Sequence, residues 1–142
     1  MKYVLDIKNS DIRDFFMEKL IENGNLIIDY SNEEGGLEKS FSKKNLLKAD
    51  LFVRINFDVD YEKKIEFFGE EKILRKMMAL NLDDMIEYLN LGKIFIKSYS
   101  GLYLVKNLES LCLIINISDE ENEKIDRSKL KEVLYKLIIE AS

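Results

Sequence analysis

The chain has 142 residues, and 22 Lys and Arg against 27 Asp and Glu leave it modestly acidic at net charge -5, with one Cys and no His, Pro or Trp. Without imidazole there is no Ser-His-Asp triad, no Cys-His pair and no His-ligated zinc, and one Cys makes neither an internal disulfide nor a thiolate metal cluster. A composition 46% hydrophobic and 35% charged is that of a globular chain able to bury a core without staples.

Taken in order, Tyr3 to Ile7 reads as a short strand, and Ser10 as the N-cap of a helix whose apolar positions Ile12, Phe15, Phe16, Leu20 and Ile21 follow the 3.6 period. Gly24 ends that helix, and Asn25 to Tyr30 is a second strand. The stretch from Asn32 to Gly36 is a turn, with Leu37 to Ser42 returning as a partner strand. From Leu51 to Phe68 odd-numbered positions are apolar and most even-numbered ones polar, the period of a strand with one buried face. That run exceeds an ordinary strand, so a bend or tight turn is expected between Asp60 and Lys64 in an antiparallel ribbon with one wet face.

Glu70 to Leu91 switches to helical spacing and breaks in two near Asn81, Asp83 and Asp84. Three strands follow, Lys93 to Tyr99, Leu102 to Lys106 and Ser110 to Ile117, the last apolar on both faces and therefore central. A helix from Arg127 to Ala141 closes the chain, with Leu130, Val133, Leu134, Leu137 and Ile138 along one stripe. The expected architecture is a single α+β domain over residues 1–142, a mainly antiparallel sheet with helices packed on it, in the order β-α-β-β-β-α-α-β-β-β-α.

Each chemical signal has a structural competitor. Asp58, Asp60 and Glu62 place three carboxylates on one strand face, but no calcium loop surrounds them: Lys63 stands where an EF-hand requires Gly, and Gly69 where it requires Glu. Cys112 sits in an apolar strand, the reverse of what activates a thiol. Asp83 and Asp84 diverge by about 100° on a helix and do not share a site. Gly35-Gly36 and the step from Gly92 to Lys93 match no phosphate-binding loop. Met77, Met78 and Met85 read as helix packing. The basic groups around Lys43 and Lys72 are ringed by acidic residues, so no nucleic-acid groove is expected.

These exclusions lead to the expectation of a non-enzymatic protein-binding module: an inhibitor, an immunity-type or antidote protein, or a regulatory adaptor. Its expected contact residues are Tyr99 and Tyr103 on a hairpin, Phe52 and Phe68 on the polar phase of the ribbon, and Asp58, Asp60 and Glu62 steering a basic protein partner. No catalytic residue, metal or cofactor is implied, and a homodimer is compatible with the chain. The element order resembles roadblock-type and longin-type GTPase-associated modules without a shared motif, which implies a dimeric scaffold as an alternative. A carboxylate and divalent-metal enzyme centred on Asp58, Asp60 and Glu62 is another. The longest uncharged run, Ser110 to Ser118, is far short of the about 20 residues of a bilayer span, and the expected compartment is the cytoplasm of a prokaryote or the host of a phage.

Overall fold

In the computed structural model, residues 1–31, 49–59, 64–80, 93–98, 111–119 and 127–142 are described. They form β1 (Lys2–Ile7), α1 (Ser10–Glu22), β2 (Leu26–Asp29), β3 (Leu51–Val59), β4 (Lys64–Gly69), α2 (Glu71–Met78), β5 (Lys93–Ser98), β6 (Leu111–Asp119) and α3 (Arg127–Ala141). The six strands make one mixed sheet in the order β2-β1-β3-β6-β4-β5. The expected α+β class holds. The sheet, however, is mostly parallel: β1 pairs in parallel with both β2 and β3, β3 with β6, and β4 with β5, while β4 and β6 run antiparallel.

Nor is the run from Leu51 to Phe68 a hairpin. Its two halves are β3 and β4, and β6 lies between them, paired with both. Alternation in a sequence tells which face of a strand is buried but says nothing about which strand lies beside it. The second half of the helical stretch after Glu70, the strand expected at Leu102 to Lys106, and the turn and partner strand between Asn32 and Ser42 lie outside the described residues.

The odd-numbered face of β1, β3, β4 and β6 carries Tyr3, Leu5, Ile7, Leu51, Val53, Ile55, Ile65, Phe67, Leu113, Ile115 and Ile117, all buried in one cluster with residues from all three helices. From α1 come Ile12, Phe16 and Leu20, from α2 Ile73, Leu74 and Met77, and from α3 Leu130, Leu134, Leu137 and Ile138. Each such side chain contributes about 1.5 to 3 kcal/mol by leaving water, which makes this face the main source of stability. Tyr135 ties α3 to α1 with its ring edge-on to Phe15 at 6.1 Å and Phe16 at 5.8 Å, while its hydroxyl accepts from Asn23 Nδ2 at 2.9 Å. Near the start of β3 the opposite face carries a second, smaller buried cluster of Val4, Phe52, Cys112 and Ile114 with Ala49. Towards the carboxyl end of β3 that face turns polar. Among the described residues no helix is long and apolar enough to cross a membrane.

Candidate functional site

The topology singles out one place. The chain leaves β1 through α1 and reaches β2 on one side, whereas β3 lies on the other side of β1. Strand order thus reverses between β1 and β3, and in open parallel sheets ligands bind at the carboxyl ends of the strands where this happens. An open cleft of about 420 Å³ occupies that position, lined by Lys8 and Asn9 after β1 and by Ile55, Asn56 and Phe57 of β3.

Local chemistry fixes each wall. Asn9, rather than the expected Ser10, caps α1, its Oδ1 accepting from Ile12 N at 3.1 Å; the amino end of a helix of 13 residues therefore opens at the rim, with the partial positive charge of its dipole. The other side of the β1 end is pinned by Ser31, whose buried Oγ accepts from Ile7 N at 2.9 Å and whose carbonyl accepts from Lys8 Nζ. Lys8 Nζ also lies 3.7 Å from Asp6 Oδ1.

Behind the cleft, Asp6 is only 3% exposed and faces Arg54 across the β1–β3 pairing, with Arg54 Nε at 3.3 Å from Oδ2. The contact is an ion pair without hydrogen-bond geometry, and among the described residues Arg54 Nε and the other Asp6 oxygen, Oδ1, stand out as buried polar atoms lacking a hydrogen bond. Two residues further along β3, Asn56 Nδ2 donates to Asn116 Oδ1 of β6 at 2.8 Å. That bond uses one N–H of Asn56 and the carbonyl of Asn116; a paired amide of this kind carries a further acceptor on Asn56 Oδ1 and a further donor on Asn116 Nδ2, the groups that complement a peptide or acetamido group.

The same face continues across the sheet. Asn116 is in register with Glu66 of β4, and Glu66 with Phe95 of β5. Glu66 sits between two ammonium groups, Lys64 Nζ at 3.7 Å and Lys97 Nζ at 3.4 Å. Among the described residues no group of three or more His, Cys, Asp or Glu side chains is placed to hold a metal ion. Cys112 is fully buried.

The residues expected at a protein interface fare differently. Phe52 is 0% exposed, packed with Val4 and Cys112, and is corrected from contact residue to core: the even face of β3 is itself covered at that point. Phe68 is half-buried against the same cluster, with Lys97 Nζ 5.5 Å above its ring. Asp58 holds a backbone position near the end of β3, in register with Ser118. Asp60, Glu62, Tyr99 and Tyr103 lie outside the described residues. Sequence reasoning missed Lys8, Asn9, Arg54, Asn56 and Asn116; the signal available was the β1-α1-β2 order, whose strand-to-helix turn is where parallel sheets place ligands.

No family model matches the chain, and no curated protein matches it in sequence. Solved structures match its fold. The catalytic domain of an endolysin targeting Clostridia difficile superposes with a TM-score of 0.62 at 14% identity, over 99% of this chain and 96% of that one. The N-acetylmuramoyl-L-alanine amidase AmiC2 of Nostoc punctiforme gives 0.67 at 8% identity, over 98% and 95%. The catalytic domain of CwlV, an N-acetylmuramoyl-L-alanine amidase of Bacillus (Paenibacillus) polymyxa var. colistinus, gives 0.63 at 12%, over 99% and 96%. These likenesses show the fold. They also overturn the expectation of a non-enzymatic inhibitor, immunity-type protein or adaptor, because the structures matched over nearly their full length include an endolysin's catalytic domain and several N-acetylmuramoyl-L-alanine amidases. With the sheet mostly parallel, the roadblock and longin resemblance lapses too.

Proposed function

We propose that this chain is an amidase-fold domain directed at peptidoglycan, which takes the muramoyl–L-alanine amide region of that polymer into the cleft between β1 and β3. The observation that carries the reading is the match, over nearly the full length of both partners, to several N-acetylmuramoyl-L-alanine amidases and to an endolysin catalytic domain. The cleft is supported independently by its place at the reversal of strand order.

The residues there suit amide and acetamido recognition. The amide of Asn56 at the cleft wall, held by Asn116, is of the kind that pairs with such a group, Lys8 and the amino end of α1 favour a nearby carboxylate, and Ile55 and Phe57 provide apolar wall. Chemistry at that amide in this chain runs without imidazole, since the sequence has none. The cytoplasm expected from the sequence is not carried over as the working compartment: on this reading the domain acts where peptidoglycan lies.

The test is co-sedimentation of the purified chain with insoluble sacculi, with cellulose as the control polymer. Most of the protein is expected in the sacculus pellet and little with cellulose. Protein left in the supernatant with both polymers, with and without added divalent cation, contradicts the reading.

A further inference from the structure

Asn23-Gly24 is the one Asn-Gly step in the sequence, and it stands exposed at the carboxyl end of α1. An asparagine followed by glycine is chemically the most labile kind, because glycine has no Cβ to keep its backbone nitrogen away from the carboxamide carbon before it. No neighbour shields the place either: a Cβ built on Gly24 meets no atom within 4 Å. Folding, however, ties down both reacting groups. The N–H of Gly24, the nucleophile, donates to Ile21 O at 3.0 Å. Asn23 Nδ2, the leaving group, donates to Lys19 O at 2.8 Å and to the Tyr135 hydroxyl at 2.9 Å, so both of its N–H groups have acceptors. Ring closure needs the Gly24 nitrogen on the same side of the Asn23 Cα–C bond as Cβ, which the observed ψ of 15° does not give. Turning that bond breaks the Gly24 hydrogen bond together with the one from Asn25 N–H to Leu20 O.

We infer that Asn23 is a deamidation site gated by the fold: the closed carboxyl turn of α1 protects it, and the reaction proceeds from the opened turn. In the opened state hydroxide takes the Gly24 amide proton, the nitrogen adds to Asn23 Cγ, and Nδ2 leaves as ammonia after regaining a proton from water, which closes a succinimide ring. A second water opens the ring at one carbonyl or the other and leaves aspartate or isoaspartate, so that overall one water is consumed and one ammonia released. Helix ends open far more readily than the core, so the protection is partial. Neither product restores the cap. Aspartate sets a negative charge beside Lys19 O at the negative end of the α1 dipole, and isoaspartate adds a backbone methylene that carries the N–H groups of Gly24 and Asn25 away from their acceptors. The contact of α1 with α3 through Tyr135 therefore loosens with age. The site lies at the end of α1 away from the cleft and needs no assumption about the ligand.

Peptide mass spectrometry of the full chain, aged at mildly alkaline pH with and without guanidinium chloride, separates the outcomes. In denaturant, deamidation is expected at Asn23 ahead of every other asparagine, and Gly24→Ala is expected to slow it. In the folded chain the same step is expected to run about tenfold slower or more, as the loss of two cap hydrogen bonds implies. Tyr135→Phe keeps the ring and removes the hydroxyl; it is expected to speed the folded reaction about two- to tenfold and to leave the rate in denaturant unchanged. Circular dichroism checks that parent and variant are folded where no denaturant is present. Equal rates with and without denaturant, or a Tyr135→Phe chain that ages like its parent, would overturn the gating. An asparagine elsewhere that reacts first in denaturant, or no reaction at Asn23 at all, would overturn the site.

Discussion

The buried ion pair of Asp6 and Arg54 is the residue on which the geometry of the cleft most depends. Asp6 is 3% exposed, and among the described residues its oxygens face Arg54 Nε at 3.3 Å and Lys8 Nζ at 3.7 Å. Removing Arg54 strands a carboxylate in a low-dielectric interior, which costs more than the pair itself contributes. Arg54→Ala is expected to lower stability by about 3 kcal/mol in urea unfolding, at the low end for such losses because Lys8 remains. Replacing both partners with apolar residues is expected to cost less than the single change, and the opposite order would show that the pair is not buried. Neither member was picked out from the sequence. Arg54 and Asn56 were read as the wet phase of an alternating strand, since alternation distinguishes faces but not a solvated polar face from a polar face lining a site.

Tyr3 links protonation to folding at the other end of β1. Its phenol is held above its ordinary value of 10.0, chiefly by burial, with Tyr135 and Asp50 adding to the effect and the hydrogen bond to Ser142 opposing it. The folded state thus favours the protonated form. As pH climbs past about 10 the unfolded chain loses this proton first, so stability present below that pH declines above it. Unfolding measured from pH 8 to 11 should show a shallower alkaline decline for Tyr3→Phe than for the parent chain; equal slopes would place the titration elsewhere.

At the scale of elements, the caps were legible and the pairing was not. The end of α1 shows why glycine is readable: Gly24 adopts φ 79°, its N–H donates to Ile21 O at 3.0 Å, and Asn25 N–H reaches back to Leu20 O at 3.0 Å, which closes the helix in a Schellman motif. A Cβ at Gly24 meets nothing within 4 Å, so only backbone strain opposes a side chain there. Gly24→Ala is accordingly expected to cost about 1 kcal/mol in thermal or urea unfolding, and Gly24→Asn less. A loss as large for Asn as for Ala would mean that space, not φ, is limiting. Gly69 makes the contrast, since there a Cβ would meet Cys112 O at 3.3 Å.

The strand spans of β1, β3, β4 and β6 and the helical stripe of α3 follow from periodicity, because burial of one face imposes a period of 2.0 or 3.6 on any chain. Parallel pairing imposes no such mark on a strand. It shows only in the connections, as a helix between strands, and the helices between β1 and β2 and between β4 and β5 were the signs that the sheet was not a series of hairpins. The apolar run of Ser110 to Ile117 was placed centrally for the right reason: β6 lies between β3 and β4, with Leu113, Ile115 and Ile117 buried under the helices and Cys112 and Ile114 buried on the other face.

For the whole molecule, the absence of His excluded imidazole chemistry and was extended too far, to a molecule without an enzyme's architecture. Fold and catalytic group are separable: the amidase-like sheet is specified by buried apolar positions, and its carboxyl edge here carries amides, an Arg–Asp pair and lysines. The acidic stripe at Asp58, Asp60 and Glu62 caught the eye because charge is visible in a sequence. The Asn56–Asn116 pair did not, since two amides 60 positions apart become neighbours only through the β3–β6 register.

The most direct test of where this molecule meets its ligand is the change in backbone amide shifts of the labelled chain as a soluble muramoyl peptide is added. The largest shifts are expected at Lys8, Asn9, Asn56 and Asn116, around the mouth between β1 and β3. Shifts confined to the helical layer, at Leu134 and Met77 for example, or none at millimolar ligand, would contradict the account.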